Sequence, residues 1–138
     1  MRTLVLYFIT LSYSISANSQ VTVTLRIEEA VINGGIIYVS LFNSEANYKA
    51  REVYHSFSLN ADNITLTTEL SLPCGEYLIS IYQDGNSNGK LDNNLVGIPR
   101  ERFGFSNYDG RSAPGGFQKH KVKITDINNE VVINLYKI

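Results

Sequence analysis

The chain has 138 residues, of which 43% are hydrophobic. It contains 12 Lys and Arg residues and 13 Asp and Glu residues, which gives a formal net charge of −1. Because the charges are few and of both signs, the composition excludes a strongly basic surface, and no nucleic-acid partner is expected. The length favours one domain with a single core. Cys74 is the only cysteine, so no disulfide forms within the chain.

The first residues have the layout of a secretory signal peptide. Arg2 precedes an uncharged apolar run, and the small side chains of Ala17 and Ser19 follow it. The run is shorter than the roughly 20 residues that span a bilayer. We therefore expect cleavage of residues 1–19 after Ser19, with cleavage after Ala17 as the alternative. The mature domain, residues 20–138, is then secreted or periplasmic.

Strand patterns dominate the mature chain. Apolar and polar side chains alternate strictly over residues 21–28, VTVTLRIE, which is typical of a half-buried strand. Asn-Gly-Gly at 33–35 supplies the positive φ angles of a tight hairpin turn, so residues 36–42 are expected to return as the second strand. The polar segment 43–56 predicts a loop or a single helical turn. Further strand patterns cover residues 53–60, 63–70, 76–83, 118–125 and 130–137.

About seven short strands separated by turns predict an all-β fold, a single antiparallel β-sandwich of immunoglobulin-like or transthyretin-like type. One long segment interrupts the pattern. Residues 84–117, which we call the excursion, show no strand pattern but are rich in apolar and aromatic side chains. Loops of this length are functional or disordered, and the aromatic content argues against disorder.

The excursion begins with DGNSNGKLD, which spaces oxygen atoms as a calcium-binding loop does, with Gly89 at the sharp turn. Leu95 stands at the twelfth position instead of a bidentate Glu, so we expect Glu101 or Asp109 to replace it. A strand precedes the loop, so this is not an EF-hand. The alternative is an Asx-rich turn that binds no metal. The candidate calcium ligands are Asp84, Asn86, Asn88, Lys90 through its backbone carbonyl, Asp92 and Glu101.

Further along, the excursion carries guanidinium and aromatic side chains. Loops on a rigid scaffold commonly carry recognition, so one hypothesis is that the loop 93–118 binds a glycan or a peptide without any metal. The other is that the phenylalanines form a mini-core that folds the loop back on the sandwich. The candidate ligand-binding residues are Arg100, Arg102, Phe103, Phe105, Tyr108 and Arg111.

The sequence contains no arrangement typical of an enzyme. His55 and His120 lie in predicted strands and are expected on the solvent face, and no nucleophile-elbow serine motif is present. Asp84 and Asp92 lie in one tight loop, where carboxylates share an ion more readily than they flank a sugar. Cys74 is expected as a buried small side chain in a turn. We therefore expect no enzyme activity, with a hydrolase as the least favoured alternative.

Two segments carry a family resemblance. YLISIYQDGNSNGKLDNNLVGIPRERFGFSN, with the earlier GGIIYVSLFNSE, resembles the secreted bacterial family known as domain of unknown function 2141, whose hallmark is a strand, a D-x-N-x-N-G-K-x-D loop and then G-I-P-x-E-x-x-G-F-S-N. The similarity runs from about Val21 to Ile138. Gln83 stands where a histidine is common, and SAPGGF is looser than the usual proline-containing segment. The resemblance implies an exported β-sandwich and supports Glu101 as part of the metal constellation, but it implies no reaction.

These patterns together predict an exported, calcium-stabilised β-sandwich that acts as a binding or structural module of the cell envelope. We expect a monomer whose partner is an unidentified protein or glycan of the envelope. Because the acidic residue at position twelve is missing, the expected dissociation constant for calcium is on the order of 0.1 to 1 mM.

Overall fold

The computed structural model describes residues 19–95, 97 and 99–138. The predicted signal peptide, apart from Ser19, lies outside the described residues. The strands of the described part are β1 (Gln20–Glu28), β2 (Ile36–Phe42), β3 (His55–Leu59), β4 (Leu66–Pro73), β5 (Gly75–Asp84), β6 (Phe103–Phe105), β7 (Val122–Ile124) and β8 (Glu130–Asn134). The helices are α1 (Glu45–Ala50) and α2 (Phe117–His120).

The strands form two sheets, which confirms the predicted all-β sandwich-like fold. One sheet has the order β4-β1-β8, and the other has the order β3-β2-β5-β6 with β7 paired to β5. The pairs are antiparallel except β1 and β8, which run parallel with Leu25 opposite Val131. The long β5 is the centre of the larger sheet, and its end carries the predicted calcium loop.

The core lies between the two sheets and follows the alternation of the sequence. Every second residue of β1 points inward, so Val23, Leu25 and Ile27 have no exposed surface. Ile79 and Ile81 of β5 meet them from the opposite sheet. Burial of each such side chain contributes about 1.5 to 3 kcal/mol, so the two central strands form a rigid support for the loop that follows β5.

The turn after β1 does not form the predicted hairpin. Asn33 and Gly35 have the expected positive φ angles of 54° and 109°, but β1 and β2 belong to different sheets, so this segment crosses between them. Ile36 pairs with Asp84, and a Cβ atom on Gly35 would lie 1.9 Å from the carbonyl oxygen of Asp84. Glycine is therefore required where the crossover passes the end of β5.

The excursion contains a strand, β6, that the sequence pattern did not predict. Phe103 of β6 pairs with Tyr82 of β5 on one side. On the other side its N–H donates to the carbonyl of Tyr136 at 2.9 Å, and the N–H of Tyr136 donates back at 2.8 Å. A Cβ atom on Gly104 would lie 2.4 Å from the carbonyl oxygen of Asn134. The excursion is thus fixed between β5 and the segment after β8.

The other elements confirm some expectations and correct three. The predicted helical turn is α1, whose N-cap Ser44 accepts a hydrogen bond from the N–H of Asn47. The predicted strand 118–125 is shorter, because its first part forms α2. His120 is buried and not on the solvent face, and Cys74 is exposed and not buried. Among the described residues, no helix has the length and apolar character needed to cross a membrane.

Candidate metal site

The loop that follows β5 starts from two buried polar residues. Gln83 accepts a hydrogen bond from the N–H of Val31 at 2.9 Å and donates to the carbonyls of Val31 at 2.7 Å and Gly35 at 3.2 Å. Asp84, which follows it, is only 2% exposed although it carries a charge. A carboxylate this buried requires partners that compensate for lost hydration. The loop provides them.

The Asp84 carboxylate organises the first half of the loop. Its Oδ1 accepts from the N–H of Asn88 at 3.2 Å, and its Oδ2 accepts from the N–H of Gly89 at 2.7 Å. Asn88 in turn accepts from the N–H of Lys90 at 3.0 Å. Gly89 has a φ of 70°, the left-handed conformation that glycine adopts without strain. The chain therefore wraps around the Asp84 side chain, as the spacing predicts.

The Asp92 carboxylate accepts hydrogen bonds from the side-chain amides of Asn86 and Asn88. The Nδ2 of Asn88 donates to Oδ1 and Oδ2 of Asp92 at 2.9 and 2.8 Å, and the Nδ2 of Asn86 donates to the same carboxylate. The amide oxygen of Asn86 accepts from the N–H of Asn88 at 3.2 Å and that of Asn88 accepts from the N–H of Lys90 at 3.0 Å, so both side-chain oxygens also lie within the loop. The structure thus brings Asn86, Asn88 and Asp92 together.

Glu101 closes the loop from further along the chain. Its Oε1 accepts from the N–H of Gly85 at 2.9 Å and its Oε2 accepts from the N–H of Asp92 at 3.3 Å, so one carboxylate joins both ends of the loop. Asp109, the other proposed replacement for position twelve, accepts from the N–H of Arg111 instead. Leu95 is fully exposed and supplies no side-chain oxygen.

The negative charge of this loop acts on a neighbouring tyrosine. Tyr82 donates its hydroxyl hydrogen to the carbonyl of Gly89 at 2.9 Å. Partial burial raises the pKa of the Tyr82 phenol above 10.0, and the charge of Asp84 raises it further, with smaller contributions from Glu101 and Asp92. Three carboxylates therefore act on one phenol, which places their charges at the same end of β5.

The atoms of this loop that could coordinate a cation are all oxygens, the ligand type that calcium prefers. Within the described part of the chain, no three His, Cys, Asp or Glu side chains are arranged to hold an ion by themselves. A cation at this loop would therefore also need asparagine and backbone carbonyl oxygens, which the loop contains. In this structure the carboxylates of Asp84 and Glu101 accept hydrogen bonds from backbone N–H groups. The geometry is therefore also consistent with the alternative of an Asx-rich turn that binds no metal.

The candidate ligand-binding residues divide into two groups. Phe103 is 1% exposed and stacks with Tyr108 at 5.8 Å between ring centroids, and Phe105 packs edge-on against Tyr108 at 6.0 Å. The ring of His120 stacks on Phe105 at 5.7 Å. We call Phe103, Phe105, Tyr108 and His120 the aromatic cluster. Its packing matches the mini-core hypothesis, and it leaves Phe103 no surface for an external ligand.

His120 is a structural residue that the sequence interpretation missed. Its Nε2 accepts from the N–H of Gly115 at 2.8 Å, so the ring hydrogen lies on Nδ1, which donates to the carbonyl of Asn107 at 3.0 Å. The imidazole thus joins two parts of the excursion. The neighbouring KHK sequence gives no signal of this role, because its partners are set by tertiary packing.

The arginines are separated. Arg100 and Arg102 line one pocket together with Lys137. Arg111 lies at a different pocket, beside Pro99. The structure therefore keeps two of the three predicted arginines together and adds a lysine from the end of the chain that sequence spacing did not connect to them.

The architecture defines a class of protein: a two-sheet β-protein with an oxygen-rich loop at the end of its central strand. Residues 25–132 match the model of a family described as an uncharacterized protein conserved in bacteria (DUF2141), and the chain belongs to this family, which confirms the resemblance. No curated protein and no solved structure matches the chain.

Proposed function

We propose that the protein is an exported, calcium-stabilised β-sandwich that serves as a binding or structural module of the bacterial cell envelope. The export part of the proposal is supported by the basic, apolar and small-residue sequence of residues 1–19. The calcium part is supported by the loop at the end of β5. The proposal assigns no reaction to the protein.

The observation that carries the calcium proposal is the position of Glu101. This residue lies 16 positions after Gly85 and binds its N–H, and it also binds the N–H of Asp92. The excursion therefore returns a carboxylate to a loop that lacks an acid at its twelfth position. A calcium ion at this loop would join β5 to the excursion in the same way, through oxygen ligands from both.

Calcium titration calorimetry tests this proposal. We expect binding with a dissociation constant on the order of 0.1 to 1 mM. Asp84→Asn is expected to abolish this binding, because the loop wraps around the Asp84 carboxylate. Glu101→Gln is expected to weaken it, because one charge is removed from the ligand set. Asp109→Asn is the matched control, because it removes an exposed carboxylate of the excursion that accepts from Arg111 and not from the loop. Equal binding by the protein and Asp84→Asn would refute the calcium site.

The second candidate function is ligand recognition by the excursion without metal. It is favoured by Arg100 and Arg102, which share a pocket beside the loop. Because the aromatic cluster is largely packed inward, recognition of this kind would use the guanidinium groups and not the phenylalanines. Retained ligand binding in EDTA would support this function over the calcium-dependent one.

A further inference from the structure

Three cationic side chains meet at one pocket beside the loop. Arg100, Arg102 and Lys137 line a cavity of about 180 Å³ whose walls also include Gln83 and Glu101. The volume is below the range of about 300 to 1,000 Å³ typical of sites that enclose a drug-sized ligand. We call it the basic pocket, and it has room for one small group and not for a whole ligand of that size.

The positive charge of the basic pocket is not neutralised within the described residues. Their ion pairs join Arg26 to Glu28, Lys49 to Glu45 and Lys121 to Glu76, and none includes a cation of this pocket. Glu101 is the one acid in the wall, and its two oxygens already accept from the N–H groups of Gly85 and Asp92. The pocket thus has three cations against one carboxylate that is already hydrogen-bonded.

The cations stand on a fixed backbone. The carbonyl of Arg102 accepts from the N–H of Gln83 at 2.9 Å, and the N–H of Arg100 donates to the carbonyl of Asp92 at 2.7 Å. Lys137 follows Tyr136, whose backbone is paired with Phe103. The guanidinium of Arg102 donates one hydrogen bond to the carbonyl of Leu135 at 3.4 Å, which leaves its other N–H groups for a ligand. Pairing thus fixes the backbone that carries the three cations, while the side chains of Arg100 and Lys137 are exposed and accessible to a ligand.

We propose that the basic pocket binds a single carboxylate or sulfate group. Guanidinium groups match the geometry of such oxyanions with two parallel hydrogen bonds, and an ammonium group adds a third charge. This inference names the ligand chemistry for the binding-module part of the proposed function and rests on that part, but it requires no calcium. The two sources of the group are a free inorganic anion and an acidic saccharide.

Amide NMR titrations of the whole protein, freed of metal with EDTA and then exchanged into EDTA-free buffer, test the proposal. The probes are sodium sulfate and sodium galacturonate, each compared with sodium chloride at the same ionic strength. We expect saturable shifts at the amides of Gly85, Arg100, Arg102 and Lys137 with at least one probe. Lys137→Gln and Arg102→Gln each weaken the affinity about tenfold, the factor that corresponds to about 1.4 kcal/mol.

Lys123→Gln is the matched control. Lys123 is exposed on β7 and lies opposite Glu76 at the start of β5, whereas the basic pocket lies at the end of the same strand. We expect unchanged affinity in this variant. Binding of sulfate alone identifies a free anion, and binding of galacturonate identifies the acidic saccharide. Absence of saturable shifts with both probes, or equal weakening by Lys123→Gln, overturns the proposal.

Adding calcium to the same samples separates the two proposals. Calcium binding is expected to shift the amides of Asn88 and Gly89, which hydrogen-bond to Asp84. If these amides do not respond while the basic pocket still binds its probe, the calcium site is refuted and the oxyanion site stands.

Discussion

Phe103→Ala tests whether the aromatic cluster fixes the excursion to the sandwich. The side chain is 1% exposed and packs against the rings of Tyr108 and Phe105, at centroid distances of 5.8 and 6.1 Å. Truncation of a buried phenylalanine costs about 3 to 5 kcal/mol, because apolar contacts are lost and a cavity remains. Since small proteins have a total stability of about 5 to 15 kcal/mol, this loss is a large fraction of the free energy of unfolding.

Urea unfolding at equilibrium measures this loss. We expect a lower midpoint for Phe103→Ala with an unchanged dependence on urea concentration, as for a change in stability alone. Phe105→Ala is the matched comparison, because this ring is half-buried and its removal is expected to cost less. A loss below about 1 kcal/mol for Phe103→Ala would show that the ring is not part of a packed core, and would return it to the candidate ligand surface.

Three further predictions follow from single contacts. Gly35→Ala is expected to destabilise the protein by at least about 2 kcal/mol in urea unfolding, because its Cβ would meet the carbonyl of Asp84 and its φ is 109°; an unchanged midpoint would refute the close approach. His120→Phe keeps a ring but leaves the N–H of Gly115 unpaired, at a cost of about 1 to 3 kcal/mol, and hydrogen exchange at that amide should accelerate; unchanged protection would contradict this role. A spectrophotometric titration compared with Tyr82→Phe should reveal a phenol with a pKa above 10.0. Because the folded pKa of Tyr82 is raised, its contribution to stability is complete below the unfolded pKa and is lost as the pH rises through the folded pKa. A Tyr82 phenol that titrates at or below 10.0 would contradict both its partial burial and the charge of the neighbouring carboxylates.

The elements that the sequence predicted best are those with strong local periodicity. The alternation of β1 identified its buried face, because that face packs against the other sheet, and the strand pattern over residues 76–83 identified β5. Local periodicity did not predict which strands pair with each other. The parallel pair of β1 with β8 joins distant parts of the chain, and the Asn-Gly-Gly turn chemistry is the same for a hairpin and for the crossover observed here.

The candidate site also combines features that local sequence predicts with features that depend on contacts between distant parts of the chain. The positions of Asp84, Asn88 and Asp92 follow from local spacing, because a tight loop brings neighbouring residues together whatever the rest of the fold does. Loop spacing alone left Glu101 and Asp109 as two possible acids, and the family resemblance favoured Glu101. The return of the excursion is what brings Glu101, and not Asp109, into contact with the loop. The role of His120 and the place of Lys137 in the basic pocket depend on tertiary contacts alone.

The most direct test of the central claim is thermal unfolding of the protein in EDTA and then in millimolar calcium, beside the Asp84→Ala, Asp92→Ala double variant. At a calcium concentration ten times the dissociation constant, binding adds about 1.4 kcal/mol to the free energy of unfolding. This corresponds to a rise of roughly 4 to 8 °C in the midpoint. We expect this rise in the protein and its absence in the double variant. An equal midpoint for the protein in EDTA and in calcium would contradict a calcium-stabilised fold and would leave the loop as a metal-free turn.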